Sequence, residues 1–419
     1  MFKRIITLLL AGVIFFTWGC TKTSTKKESK AQRLEGATIE QEKPTGVENG
    51  EDMLESAMGQ FAFELLKNCD DAEGNILISP ASVAFALGMT ANGASGDTLK
   101  EMEKVLGEKL NIDLINEIYY KYATILESSD ECKLSIANSI WLANNPQLQV
   151  KDAFLTKCLT YYEADVYMAD FDENTVTDVN NWVSDKTDGM IDKIIKQFYG
   201  NELMLLINAI AFEAEWEYIY YEHMVRDVEF TTAKGMVSEA EGMYSEENVY
   251  ISDENTEGFI KDYKGNYRFV ALLPKEGVDI DDYVEEFSEE KYQKLIESQR
   301  NVPVDAMLPK FSYAFESRMV SPLINMGMEQ AFEMGVADFS NMASFSENIY
   351  IGDVIHKTYI EVAEKGTKAA AVTAVIMDGN SVEMVPEEIK EVHLDRPFMY
   401  MIIDDTTNLP LFVGVVREI

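Results

Sequence analysis

The sequence predicts an α+β fold, and three observations carry that expectation. Strand-like runs at residues 133–143, 203–212 and 349–362 are interspersed with segments of helical period, without the regular strand-helix alternation of a doubly wound sheet. Hydrophobic residues make up 47% of the 419, enough for a large core and too many for a disordered chain. No internal repeat divides the chain, and its length allows two or three domains or one large folded unit.

Over residues 53–66, Leu54, Ala57, Met58, Phe61 and Leu65 recur at helical spacing and predict an amphipathic first helix. Residues 75–93 predict a short apolar strand, a Ser79-Pro80 start signal and a nearly all-apolar helix ending at Gly93, which must lie inside the protein. Residues 133–143 alternate as a strand. Apolar residues at Val179, Trp182, Val183, Ile191, Ile194 and Ile195 predict one helix over 176–195 despite Gly189. Residues 203–212 form a long buried strand. From 226 to 274 short strands follow one another, with turn signals such as Lys264-Gly265-Asn266. Residues 280–299 and 316–327 predict helices, 349–362 another long strand, and 398–403 and 411–416 the closing apolar strands.

The first fifty residues read as address and tether. Lys3 and Arg4 precede an apolar run from Ile5 to Phe16, the shape of an export signal and too short for a comfortable membrane span. The run ends in Thr17-Trp18-Gly19-Cys20, which resembles a bacterial lipobox and marks Cys20 as the lipidated first residue of the mature chain; a plain secretory signal is the alternative. Residues 21–51 are polar and mixed in charge, so a flexible tether is expected there, with one folded unit over 52–419. Export leads to a cell-surface lipoprotein or, without the anchor, to a secreted protein.

Thirty-six Lys and Arg stand against 73 Asp and Glu, a net charge of −37. Such a chain is repelled by nucleic acid and by anionic headgroups, so membrane contact is expected only through the N-terminal anchor. Cys69, Cys132 and Cys158 have neither a disulfide-framework count nor a metal-type spacing, and read as small apolar residues. Catalytic chemistry is thin: only His223, His356 and His393 occur, no phosphate or dinucleotide loop is present, and Gly93-Ala94-Ser95-Gly96 misses the nucleophile-elbow pattern by one residue. No metal or cofactor is expected, and the chain is not read as an enzyme.

Residues 361–377 (EVAEKGTKAAAVTAVIM) are unusual. A long strand runs into Glu364-Lys365-Gly366-Thr367 and then a tract of small residues. As a strand, this tract sends Thr367, Ala369, Ala371 and Thr373 to one face, all small enough to slide beneath a covered sheet, and Lys368, Ala370, Val372 and Ala374 to the other. The competing reading is a helix or an Ala-rich linker.

Here the chain resembles the serpins, over nearly all of 52–419. The matching stretches are 75–90 (NILISPASVAFALGMT), 180–195 (NNWVSDKTDGMIDKII), 206–216 (LINAIAFEAEW), 308–311 (LPKF), 337–340 (ADFS), 353–373 (DVIHKTYIEVAEKGTKAAAVT) and 395–416 (DRPFMYMIIDDTTNLPLFVGVV), in the family's order. The resemblance implies three β-sheets, eight or nine helices and an exposed reactive-centre loop at about 364–390. It also implies suicide inhibition of a serine protease: the target attacks the loop, forms an acyl-enzyme, and is trapped when the cleaved loop enters the main sheet. The expected partner is that protease in covalent complex, with the inhibitor otherwise a monomer; a non-inhibitory serpin-fold binding protein is the alternative.

The resemblance assigns a hinge to Glu364, Gly366, Thr367, Ala369, Ala370, Ala371 and Thr373, where inhibitors carry small residues. It assigns Ser79, Ser82, Asn208 and His356 to a shutter beneath the opening strands. Trp216, Lys310 and Glu364 fall at the breach where insertion starts, with an ion pair expected between Lys310 and Glu364. Counting from Gly366 places the reactive bond at Asn380-Ser381, whereas counting back from Arg396-Pro397 leaves Met377, Met384 and Val385 as alternatives. From Ala369 to Ile389 there is no Lys or Arg, which points to elastase-, chymotrypsin- or subtilisin-like targets and away from trypsin-like ones. The negative surface also argues against activation by a heparin-like polyanion.

Overall fold

The computed structural model describes residues 30–35, 50–69, 74–107, 110–126, 132–198, 203–345, 348–367 and 389–419. Two large sheets and a two-stranded ribbon form the β-structure, with nine α-helices around them among the described residues. The seven-stranded sheet runs in the order Gln32–Leu34, Asp165–Ala169, Cys132–Ala143, Met204–Glu215, Gly366–Thr367, Asp353–Ala363, Phe311–Arg318. The nine-stranded sheet includes the hairpin strands Val225–Thr231 and Val237–Ser252 and ends on Phe398–Asp404, Pro410–Val416 and Ile76–Ile78.

Both faces of the seven-stranded sheet are covered, which is why its central strand Met204–Glu215 reads as a continuous apolar run and not as an alternation. On one face the helix Pro80–Ala91, with all twelve residues buried, separates it from the nine-stranded sheet. On the other, the helix Glu173–Lys186 and the segment after it bury Val179, Trp182, Ile191 and Ile194 against Trp141, Ile207 and Ile355. That second layer departs from the expected helix over 176–195. The helix stops at Lys186, because Asp188 and Gly189 adopt left-handed backbone at φ 48° and 76°. Beyond it side chains hold the chain: Asn180 Oδ1 accepts from the backbone N–H groups of Ile194 and Ile195 and its Nδ2 donates to Ile195 O, Thr187 Oγ1 accepts from Ile191 N–H, and Lys357 Nζ donates to Lys193 O. The apolar spacing was real, but it seals a non-helical strap.

Two other expectations shift. The helix expected over 316–327 is the end of the strand Phe311–Arg318 followed by a short helix, Val320–Asn325, and 280–299 divides into Ile280–Glu285 and Glu289–Glu297 at a Ser288 cap. Within the expected flexible tether, Gln32–Leu34 is an edge strand antiparallel to Asp165–Ala169. Its backbone is anchored where Lys30 and Ala31 N–H groups donate to Asp178 Oδ2 at 2.8 and 3.0 Å, and Arg33 pairs with Asp165. Polar composition hid this contact, since a three-residue edge strand can be held by backbone bonds and ion pairs alone. The folded body then begins at the helix Gly50–Cys69.

Candidate functional site

The strands Met204–Glu215 and Asp353–Ala363 run parallel and are joined by ladder bonds only from Leu205 opposite Asp353 to Ala209 opposite Lys357. Further along they part. At the level of Ala214 and Val362 a third strand stands between them, with Thr367 paired to both and Gly366 paired to Glu215 and Ala363. The result is a V-shaped cleft with Thr367 in its mouth. Residues 210–213 and 358–361 face one another across it with no ladder pair among the described residues.

The mouth is built on aromatic residues. Trp216 is fully buried, donates from Nε1 to Ala363 O at 2.9 Å and stacks on Tyr263 with centroids 4.2 Å apart. The Tyr263 hydroxyl lies 2.5 Å from Thr367 Oγ1, and burial pushes that phenol well above its ordinary pKa, so it remains a neutral hydrogen-bonding partner. Gly366 permits the entry of the chain, since a Cβ there would sit 2.0 Å from Ala214 O. Glu364 turns the chain, its carbonyl accepting from Tyr220 N–H, while Lys310 Nζ bonds its carboxylate at 2.9 Å and Glu241 at 2.9 Å. Partial burial works against the Glu364 carboxylate more than any other single influence, but the Lys310 hydrogen bond, a backbone hydrogen bond and the charges of Lys310 and Lys365 together outweigh it, and its pKa lies below the ordinary value. The ion pair expected between Lys310 and Glu364 is thus present.

Where the V closes, Asn138, Asn208 and His356 stand opposite one another across three strands. Asn208 Nδ2 donates to Asn138 Oδ1 and to Ser82 O, both at 2.7 Å, and Asn208 Oδ1 faces His356 Nδ1 at 3.0 Å. His356 Nε2 accepts from Ser79 N–H at 3.1 Å. These partners fix the Nδ1–H tautomer of a neutral ring, and complete burial lowers its pKa to about 3. Ser79 and Ser82 enter this cluster through their backbone, not their hydroxyls, which bond no group among the described residues.

Sequence reasoning brought Ser79, Ser82, Asn208 and His356 to one place, and Trp216, Lys310 and Glu364 to another, and the structure groups both sets so. Gly366 and Thr367, expected at the start of an exposed loop, are instead buried in the sheet. Ala369, Ala370, Ala371, Thr373, Met377, Asn380, Ser381, Met384, Val385 and Cys20 lie outside the described residues. Sequence reasoning missed Asn138 and Tyr263, and also Lys261, a buried cation paired with Glu247 at 2.7 Å and set over the Tyr220 and Trp216 rings. A lone Lys amid the buried strand Thr256–Asp262 was the available signal for the last of these.

Comparison with known proteins agrees with this architecture. A family model described as "Serpin (serine protease inhibitor)" matches residues 56–419. An uncharacterized serpin-like protein of Methanosarcina acetivorans is 30% identical over 377 residues, covering 87% of this chain and 86% of its own. The leukocyte elastase inhibitor of Xenopus tropicalis is 29% identical over 381 residues, covering 86% and 98%. Among solved structures, the thermophilic serpin tengpin in its native state is 41% identical with a TM-score of 0.86, over 92% of this chain and all of that one. Tengpin in its latent state gives 0.77 at 42% identity, over 90% and 99%. The chain described here belongs to the serpin family.

Proposed function

We propose that this serpin is a suicide-substrate inhibitor of serine endopeptidases. The observation that carries the reading is the V-shaped cleft with Thr367 in its mouth, a sheet with room for one more strand and the first residues of that strand already in register. Attack by a protease serine on the loop carbonyl breaks the peptide C–N bond. The new amine leaves on the C-terminal fragment, and an ester is left to the enzyme. The freed loop then follows Thr367 down the cleft. About a dozen added residues, at roughly 0.5–1.5 kcal/mol net per hydrogen bond, supply on the order of 10 kcal/mol to displace and distort the attached protease. The nucleophile and base belong to the target, so this chain needs no triad of its own.

The absence of Lys and Arg from Ala369 to Ile389 supports elastase-, chymotrypsin- or subtilisin-like targets. Export with a lipid on Cys20 is part of the proposal and is tested by fatty-acid labelling lost in Cys20→Ala. The test of inhibition is incubation with elastase, subtilisin and trypsin, followed by denaturing electrophoresis. The first two are expected to give a covalent complex, and mass spectrometry of the released C-terminal fragment then locates the reactive bond. Cleavage without complex and without gain in thermal stability refutes inhibition; faster inhibition of trypsin refutes the assignment of target class.

A further inference from the structure

We infer that Lys261, through the buried ion pair it makes with Glu247, is a positioning residue for loop insertion: it fixes the rings of Trp216 and Tyr220, and through them the turn at residues 363–365 from which the inserted strand grows. The part of this pair in trapping a protease rests on the function proposed above; its hold on the turn does not.

The turn is held by its carbonyl groups. Trp216 Nε1 donates to Ala363 O at 2.9 Å, Tyr220 N–H to Glu364 O at 2.8 Å, and Trp216 N–H to Lys365 O at 2.9 Å. Three consecutive acceptors thus depend on two residues, both of them buried. Against both rings lies Lys261, the one buried lysine among the described residues, at 2% exposure. Its ammonium stands 4.5 Å from the centroid of the Tyr220 ring and 5.5 Å from that of Trp216, and it bonds Glu247 Oε1 at 2.7 Å. Ser245 Oγ donates to the same carboxylate oxygen at 2.6 Å and lies 3.3 Å from the Tyr220 hydroxyl. The face of that ring and its polar tip are therefore both tied to one ion pair.

Stability does not account for a charge at this place. Apolar side chains of similar volume commonly serve a core as well as a buried ion pair does, because desolvation offsets the attraction between the charges. What the pair adds is direction. A desolvated ammonium draws aromatic faces towards itself, and the carboxylate fixes where the ammonium stands. Methionine at this position would fill the same space and leave both rings free to tilt. Insertion needs that fixity, since the chain beyond Thr367 enters the cleft in register only while residues 363–365 stay in place. Entry also competes with hydrolysis of the ester that joins loop and protease. A loosened turn slows entry and lets water win, so that the protein is consumed as a substrate.

The test compares the full chain with Lys261→Met and with the double variant Lys261→Met/Glu247→Met. The single variant leaves a buried carboxylate without its cation and should lose thermal stability; the double variant removes both charges and should regain most of it. Hydrogen exchange at the Tyr220 and Trp216 amides, which donate to the turn, should nevertheless be about tenfold faster in the double variant than in the wild type, with protection at residues 205–209 unchanged. With elastase or subtilisin the double variant should also give several-fold less covalent complex and correspondingly more cleaved product. Unchanged exchange at these two amides overturns the positioning role. A yield of complex that returns together with stability shows the pair to be merely structural and overturns its part in trapping. Should the wild type trap no protease, the proposed function fails while exchange still decides whether Lys261 holds the turn.

Discussion

His356 stands directly opposite Asn208 in the parallel ladder, its Nδ1 3.0 Å from the Asn208 carboxamide oxygen, one step before the last pair that holds the two strands together. Beyond that last pair the sheet is open. The row Asn138, Asn208 and His356 therefore acts as a polar latch at the apex of the cleft, buried where an unmatched polar group is most costly.

Replacing His356 by Ala leaves a cavity, an unpaired Ser79 N–H and an unpaired Asn208 oxygen. The loss of stability should be about 2–4 kcal/mol. Denaturant unfolding measures it, and conversion to a loop-inserted or polymeric form on native gels should accelerate; an unchanged midpoint would contradict a latch.

The same histidine sets a pH dependence. Its folded pKa, about 3, lies below its ordinary value of 6.5, so between these limits the unfolded chain binds a proton that the folded one does not. Its contribution to stability is whole above about pH 7 and falls as pH drops, by roughly 1.4 kcal/mol per pH unit well inside that window. Thermal midpoints of wild type and His356→Gln, compared from pH 7.5 to 4.5, should converge or cross as the wild type loses more; parallel curves would rule this out.

Lys310 and Glu364 are partly exposed, with side-chain exposures of 26% and 36%, and solvent screens their attraction. Lys310→Ala should cost only about 0.5–1 kcal/mol in global unfolding. The pair holds the turn that feeds Thr367 into the sheet, so the rate of heat-driven insertion should change several-fold. A change in global stability with no change in that rate would assign the pair a merely structural role.

Thr367 is 2% exposed, and its hydroxyl meets Tyr263 at 2.5 Å. Thr367→Val keeps the shape and forfeits that bond, for about 1 kcal/mol. Thr367→Arg cannot be accommodated between the strands and, under the proposed mechanism, should turn the protein into a mere substrate, with cleaved product replacing covalent complex on denaturing gels. Undiminished complex formation by Thr367→Arg would contradict insertion through this mouth.

Asp178 holds the edge strand Gln32–Leu34 by two backbone bonds. Asp178→Ala should release it, at a cost of about 1–2 kcal/mol, with loss of hydrogen-exchange protection at amides 32–34. Protection equal to the wild type would show the strand to be held otherwise.

Period and composition alone marked the buried helix Pro80–Ala91 and the strands Cys132–Ala143, Met204–Glu215 and Asp353–Ala363, because each carries its burial in its own side chains. The ordered motifs added which residues meet beneath the cleft. What the tertiary structure decided are the features that depend on two distant segments at once. These include the docking of residues 30–35 on Asp178, the strap held by Asn180, the entry of Gly366 and Thr367 between two strands, and the neutral state of His356. Local sequence encodes propensity and the pattern of burial. The partner of a buried polar atom, and whether two parallel strands stay joined or part, is fixed only when the chain closes on itself, because the cost of an unmatched group is set by the low-dielectric surroundings that folding creates.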